Sequence, residues 1–344
     1  MDAQNVTPMM QQYLSAKEAH PNELLFFRLG DFYEMFFDDA KIAAKELGLT
    51  LTSRSGDLDK SPMCGVPYHA ADSYIARLVA KGFKVAIAEQ IGDPKAKGLT
   101  HREVVKVVTP GTALSDEVLR DAANIYIALL HDCGDGKFVL AGADISTGEA
   151  FYASYAGETA AQQIMDELYR RMTAELLLTE GFSLSDTVRA FLMQRLPRCA
   201  VSMVAAEADG VLLTQHFTAT EIPADAGAQT AVETLLHYLH DTVRTDLSQI
   251  NRLSFLDTRE TMQLDTYTLR NLEITRSLRD GGKKNTLFDV LDFTRTPMGT
   301  RLLRAWLEHP LLTPHRIDAR LDAVAELVEN AGLRGTLREQ LRSV

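Results

Sequence analysis

Strand-like and helix-like runs alternate through the first 258 residues of this 344-residue chain, and from about residue 259 the strand-like runs vanish. A chain with that switch cannot close around one core. The alternating part needs sheets with helices laid on them, whereas the tail can bury its apolar stripes only against other helices. Length points the same way, because chains beyond about 250–300 residues divide into domains.

In the first part, MMQQYLSAKEAH reads as an amphipathic helix stopped at His20-Pro21, and LLFFRL as a short buried strand broken at Gly30-Asp31. YEMFFDDAKIAAKELG reads as a helix ending at Gly48, LTLTSR as a strand, and SGDLDKSPMCGVPYHAAD as a loop. The helix DSYIARLVAKG and the strands KVAIAEQIG and EVVKVVTPGT complete a compact α/β unit. Residues 124–155 then hold three strand-like runs separated by DCGDGK and DISTG, the pattern of an antiparallel meander. Helices alternating with AELLLTE and AVSMVAA extend a second α/β unit to the helix TAVETLLHYLHDT. In the tail, TRETMQLDTYTLRNLEITRSL, NTLFDVLDFT and MGTRLLRAWLEH are helical, and helical periodicity runs on to residue 344 without a capping stop, as at a boundary inside a helical domain.

Apolar content of 46% with 24% charged residues fits a packed soluble protein. The longest apolar runs, LLFF and IYIALL, are far short of the ~20 residues that cross a bilayer, and the acid at position 2 with no apolar stretch after it argues against a secretory signal. No membrane partner and a cytoplasmic location are expected. Cys64, Cys133 and Cys199 are odd in number and widely spaced, which suits free thiols. His237 and His240 stand one turn apart, yet no Cys or His follows at zinc-site spacing, so no metal site is expected. The net charge of -11 is uneven: residues 1–112 carry -1, residues 113–258 carry -12, and residues 259–344 carry +2. A polyanion would therefore meet the flanking segments and not the middle one. The turn GGKKNT reads as a solvated approach to a cap at Asn285 or Thr286.

GDFYEMFF, residues 30–37, bears most directly on function. Asp31-Phe32-Tyr33-Glu34 fits D-x-x-E, a capping box, which would account for both acids by helix chemistry alone. It leaves Phe32 unexplained. An aromatic just past a cap can fold inward as a core anchor, or, one turn before a buried Phe36, stand at an exposed mouth.

GDFYEMFFDDA resembles the signature of the MutS family of DNA mismatch-recognition proteins, and PMCGVPYHA, AEQIGDP, VVKVVTPGT, ADISTGE, LDTYTLRNLEI and LDFTRTPMGTRLLRAWLEHPL resemble further segments in the family's order. The resemblance implies a multidomain α/β chain: a small mixed α/β mismatch-binding domain at 1–115, an RNase H-like α/β connector at 116–258, and at 259–344 the truncated start of an all-α core, or lever, domain. It implies that Phe32 wedges into mispaired or unpaired double-stranded DNA while Glu34 contacts the base. Leu29, Asp31 and Arg54 would lie beside the DNA, with Arg54 on a phosphate. Full-length family members are ATPases that use ATP and Mg²⁺, form homodimers and meet downstream mismatch-repair proteins. No G-x-x-x-x-G-K-[ST] motif occurs in this chain. The chain is therefore expected to have no enzymatic activity, no cofactor and no family-type dimer of its own. Two alternatives stay open: an RNase H-like metal-dependent nuclease centred on Asp144 in ADISTGE, and an interaction scaffold in which Phe32 is plain core.

Overall fold

The computed structural model of the chain describes residues 7–53, 61–91, 100–113, 124–244, 247–257 and 259–343. Helix α1 (Pro8–Ala19) starts at an N-capping Thr7 and packs Tyr13 inward. Strands β1 (Leu24–Leu29) and β2 (Phe32–Phe36) follow, then α2 (Phe37–Leu47), β3 (Thr52–Ser53), β4 (Pro62–Pro67), α3 (Ala71–Val79), β5 (Val85–Ile91) and β6 (His101–Val108). These strands form one mixed sheet in the order β3-β4-β2-β1-β5-β6, parallel only between β1 and β5. Both faces are covered, which is why β1 reads as a continuous apolar run. Leu24, Phe26, Tyr33 and Met35 pack beneath α2 and α3, and Leu25, Phe27 and Phe36 pack with Tyr13 on the opposite face.

Two expectations need correction here. FYEMF is a strand and not the first turn of a helix, so α2 begins at Phe37 and the capping box does not form. The stretch expected as a loop contains β4, whose alternating burial sets Pro62, Cys64 and Val66 inward; its prolines stand at the strand ends, where a missing ladder donor is tolerated.

The second sheet is built by β7 (Ile127–Gly134), β8 (Lys137–Asp144), β9 (Glu149–Ala156), β10 (Glu175–Thr179), β11 (Ala200–Val204) and β12 (Arg252–Phe255), in the order β11-β10-β7-β8-β9-β12. The expected meander is β7-β8-β9; β10, β11 and β12 add to it in parallel. Helices α4 (Ala160–Arg170) and α5 (Ser185–Arg195) supply one apolar layer, α6 (Val211–His216) and α7 (Ala226–Val243) the other.

Beyond β12 only helices are regular among the described residues: α8 (Thr266–Asn271), α9 (Leu287–Leu291), α10 (Pro297–Glu308), α11 (Pro314–Glu329) and α12 (Ala331–Gln340), with one isolated bridge between Thr261 and Leu311. Thr286 caps α9, and Asn330 splits the long C-terminal periodicity into two helices. Among the described residues no helix is long and apolar enough to cross a membrane. The helical part is tied to the second sheet through Asp166, which accepts from Thr266 N (3.0 Å) and Oγ1 (2.7 Å).

A buried ion pair joins the two sheets. Lys84, just before β5, places Nζ 2.6 Å from Glu175 Oε1 at the start of β10. Tyr238 donates to the same oxygen at 2.6 Å, the Gly111 amide donates to Oε2 at 3.1 Å, and Lys84 also reaches Ser202 at 2.8 Å. Glu175 is fully buried.

Candidate nucleic-acid interface

The hairpin of β1 and β2 builds the site. Leu29 pairs with Phe32, so Gly30 and Asp31 are a two-residue turn, and Gly30 takes the left-handed φ of 61° at the first turn position. Primed hairpin turns need that conformation, which glycine adopts without steric cost. The turn is held from three sides. Tyr68 N donates to Asp31 O at 2.9 Å, Arg28 Nε donates to Gly30 O at 2.5 Å, and Arg102 Nε donates to Arg28 O at 2.6 Å.

Side chains alternate along β2, so Phe32, Glu34 and Phe36 share one face. Along that face burial falls steadily towards the tip. Phe36 is 1% exposed and meets Tyr13 edge-on at 4.9 Å, Glu34 is half-buried, and Phe32 is 47% exposed. Opposite Glu34 on β4 stands Gly65, which has no side chain to cover the carboxylate from that strand. Leu29 packs partly against the core on this face, and Asp31 is exposed in the turn. The structure thus brings Phe32, Glu34, Leu29 and Asp31 together at one end of the sheet. Arg54 lies outside the described residues.

The opposite face of the tip is braced by residues that the motif did not single out. The Arg28 guanidinium lies 3.9 Å from the Tyr68 ring centroid and 5.4 Å from that of Tyr33, with Glu89 at 3.8 Å. Tyr33 donates its hydroxyl hydrogen to Glu89; burial first, then that carboxylate, pushes the phenol up to about 12. Strand alternation places Arg28 and Tyr33 on one face, a signal available in LLFFRLGDFY. The stacking partner Tyr68 comes from another strand's end and had no local signal.

Asp144 is fully buried at the end of β8. Its Oδ1 accepts from Ser146 N (2.8 Å) and Oγ (2.6 Å), and its Oδ2 accepts from Ile125 N (3.3 Å). The carboxylate holds the DISTG turn, and the nuclease reading finds no support. His237 and His240 diverge: His240 Nε2 meets His216 Nε2 at 2.9 Å, whereas His237 lies 3.5 Å from Asp209. Cys64, Cys133 and Cys199 are free thiols.

Residues 7–117 match the family model of MutS domain I, and residues 267–344 match that of MutS domain III. Across the chain, proteins named DNA mismatch repair protein MutS are similar. The one from Desulforamulus reducens is 43% identical over 349 residues, covering 98% of this chain and 40% of that protein. Those from Pelotomaculum thermopropionicum and Symbiobacterium thermophilum are each 42% identical, over 98% and 100% of this chain and 40% of their own length. The chain spans about 40% of the length of these curated relatives.

Proposed function

The chain belongs to the MutS family, and from that premise we propose that it is the mismatch-reading portion of a DNA mismatch repair protein. Phe32 is the wedge, Glu34 contacts the mispaired base, and Leu29, Asp31 and Arg54 lie beside the duplex. The observation that carries this reading is an aromatic ring left 47% exposed at the tip of a hairpin whose other aromatics are buried. Pushing a ring between base pairs costs a few kcal/mol of unstacking and kinks the duplex. A mismatch has already lost part of that stacking and bends more easily, so the same insertion costs less there. One site thereby serves many mispairs, because it tests deformability instead of a donor and acceptor pattern.

An acid beside phosphates is repelled and must be compensated. Glu34 accepts from base N–H groups that a matched pair keeps engaged, so it penalises matched duplex as well as contacting mispairs. Residues 1–115 act as the mismatch-binding domain, 116–258 as an RNase H-like connector, and 259–344 as the start of the helical core. An antiparallel meander extended by parallel strands supports the connector reading. In the whole protein, ATP with Mg²⁺, a homodimer, repair partners and a cytoplasmic setting complete the activity, and this chain contributes recognition without ATP hydrolysis.

The test is a binding titration against paired and mispaired duplexes at several salt concentrations. The salt slope reports phosphate contacts and the affinity ratio reports the wedge. Glu34→Gln should strengthen binding to matched DNA more than to mismatched DNA; a uniform loss on both contradicts the role given to Glu34.

A further inference from the structure

Between α4, β9 and α10 lies a cavity of about 430 Å³ walled by five arginines, Arg170, Arg171, Arg276, Arg301 and Arg304, against two carboxylates, Glu149 and Glu308. The acids around it are already engaged. Glu167 takes Arg171 at 2.7 Å and Arg170 at 2.8 Å, Glu149 takes Arg171 at 3.3 Å and the Tyr126 hydroxyl at 2.9 Å, and Glu308 faces Arg304 at 3.9 Å. Arg276 and Arg301 form no ion pair among the described residues. Arg170 is 4% exposed and spends its Nη groups on Glu167 at 2.8 Å and on Leu264 O at 3.0 Å, and the Arg304 guanidinium lies 4.6 Å from the Phe288 ring centroid, so among the described residues Arg276 and Arg301 are the two arginines of the wall without a carboxylate in ion-pair reach. Burial, and after it the neighbouring Arg304, push the Arg276 guanidinium below its ordinary value. Burial also raises the Glu308 carboxyl, against the opposing pull of Arg304 and, less strongly, of His309 and Arg276.

Two guanidinium groups without a carboxylate of their own, set among three paired ones, are unfavourable unless an anion joins them. The planar fork of arginine matches phosphate oxygens two at a time. We propose that this cavity binds a phosphate-bearing anion, held by Arg276 and Arg301, with the charge of the neighbouring Arg170, Arg171 and Arg304 adding to the field around it. Tyr126, Met298 and Leu302 on the remaining wall leave room for an organic group attached to the phosphate. Free phosphate and nucleotide phosphate share this chemistry. The inference is independent of mismatch reading, since it concerns the junction with the helical part and not the hairpin tip.

The test is calorimetric titration and thermal unfolding of the full chain at fixed ionic strength, with inorganic pyrophosphate, ADP, and sodium chloride as the screening control. Pyrophosphate should bind saturably and raise the Tm with concentration. The double variant Arg276→Gln/Arg301→Gln should weaken that binding about tenfold or more, and without ligand it should melt no lower than the parent, because like-charge crowding is relieved. Arg259→Gln, which alters an exposed arginine paired with Asp257 at 2.8 Å, should leave binding unchanged. Tighter binding of ADP through the same arginines identifies nucleotide phosphate as the ligand, and weaker or equal binding identifies free phosphate. Absence of saturable binding, a response matched by chloride, or undiminished binding by the double variant overturns the proposal. If the double variant does not fold, Arg301→Lys keeps the charge, loses the fork and is read against the same outcomes.

Discussion

Replacing Phe32 by Ala separates a wedge from a core residue, and its neighbour Phe36 supplies the scale. The two rings lie on the same face of one strand, four residues apart. Phe36 is 1% exposed and Phe32 is 47% exposed. Burying a Phe side chain fully contributes roughly 1.5–3 kcal/mol, so the half of Phe32 already in water leaves about 1 kcal/mol to lose. Truncation at an open tip also leaves no cavity. Phe36→Ala removes a fully packed ring that touches Tyr13 and leaves a void, for about 3–5 kcal/mol. Urea unfolding of both variants, followed by signals local to the first sheet, measures the difference. Binding measured alongside should show Phe32→Ala losing most of the preference for mispaired over paired duplex. A Phe32→Ala cost equal to that of Phe36→Ala, with the preference intact, refutes the wedge and restores the scaffold reading.

The buried pair between the sheets makes a second prediction: Lys84→Met strands the Glu175 carboxylate and should cost about 3–5 kcal/mol in urea unfolding, most of it recovered in Lys84→Met/Glu175→Gln. Equal losses in the single and double variants would count against it. A third concerns acid. Burial raises the Glu167 carboxyl, but Arg171, then His309 and Arg170, outweigh it and hold the group well below its ordinary range. A depressed folded-state value means the stabilisation is complete above the unfolded value of about 4.3 and is lost as pH falls through the folded one. The stability gap between the parent and Glu167→Gln should therefore shrink below about pH 4; a gap that does not change with pH would contradict this.

What could be read from the sequence was whatever local pattern decides. LLFFRL matches β1 residue for residue, and the DCGDGK and DISTG turns delimit the meander. The failures occur where a partner elsewhere decides. Asp31-x-x-Glu34 satisfies a capping template, yet FYEMF is flanked by β1 and β4, and ladder pairing outweighs a cap that contributes about 1 kcal/mol. PMCGVP carries two prolines and a glycine, and only its pairing between β2 and β3 reveals it as a strand. The break at Gly30-Asp31 was legible because its residues are contiguous, whereas the hairpin it makes was read as a turn into a helix. Arg28 against Tyr68 was not legible, and neither was Lys84 against Glu175, since each pairs groups far apart in the chain.

That last contact has a mechanical consequence. Strand β5 is seven residues long, roughly 20 Å of stiff ribbon. Near one end Glu89 grips Arg28 and Tyr33 behind the hairpin tip, and just before the other Lys84 is pinned in the neighbouring sheet. If Phe32 wedges into a duplex as proposed, load on its ring passes along β5 towards that buried pair, and a kinked duplex and a straight one would then hold the two sheets at different angles.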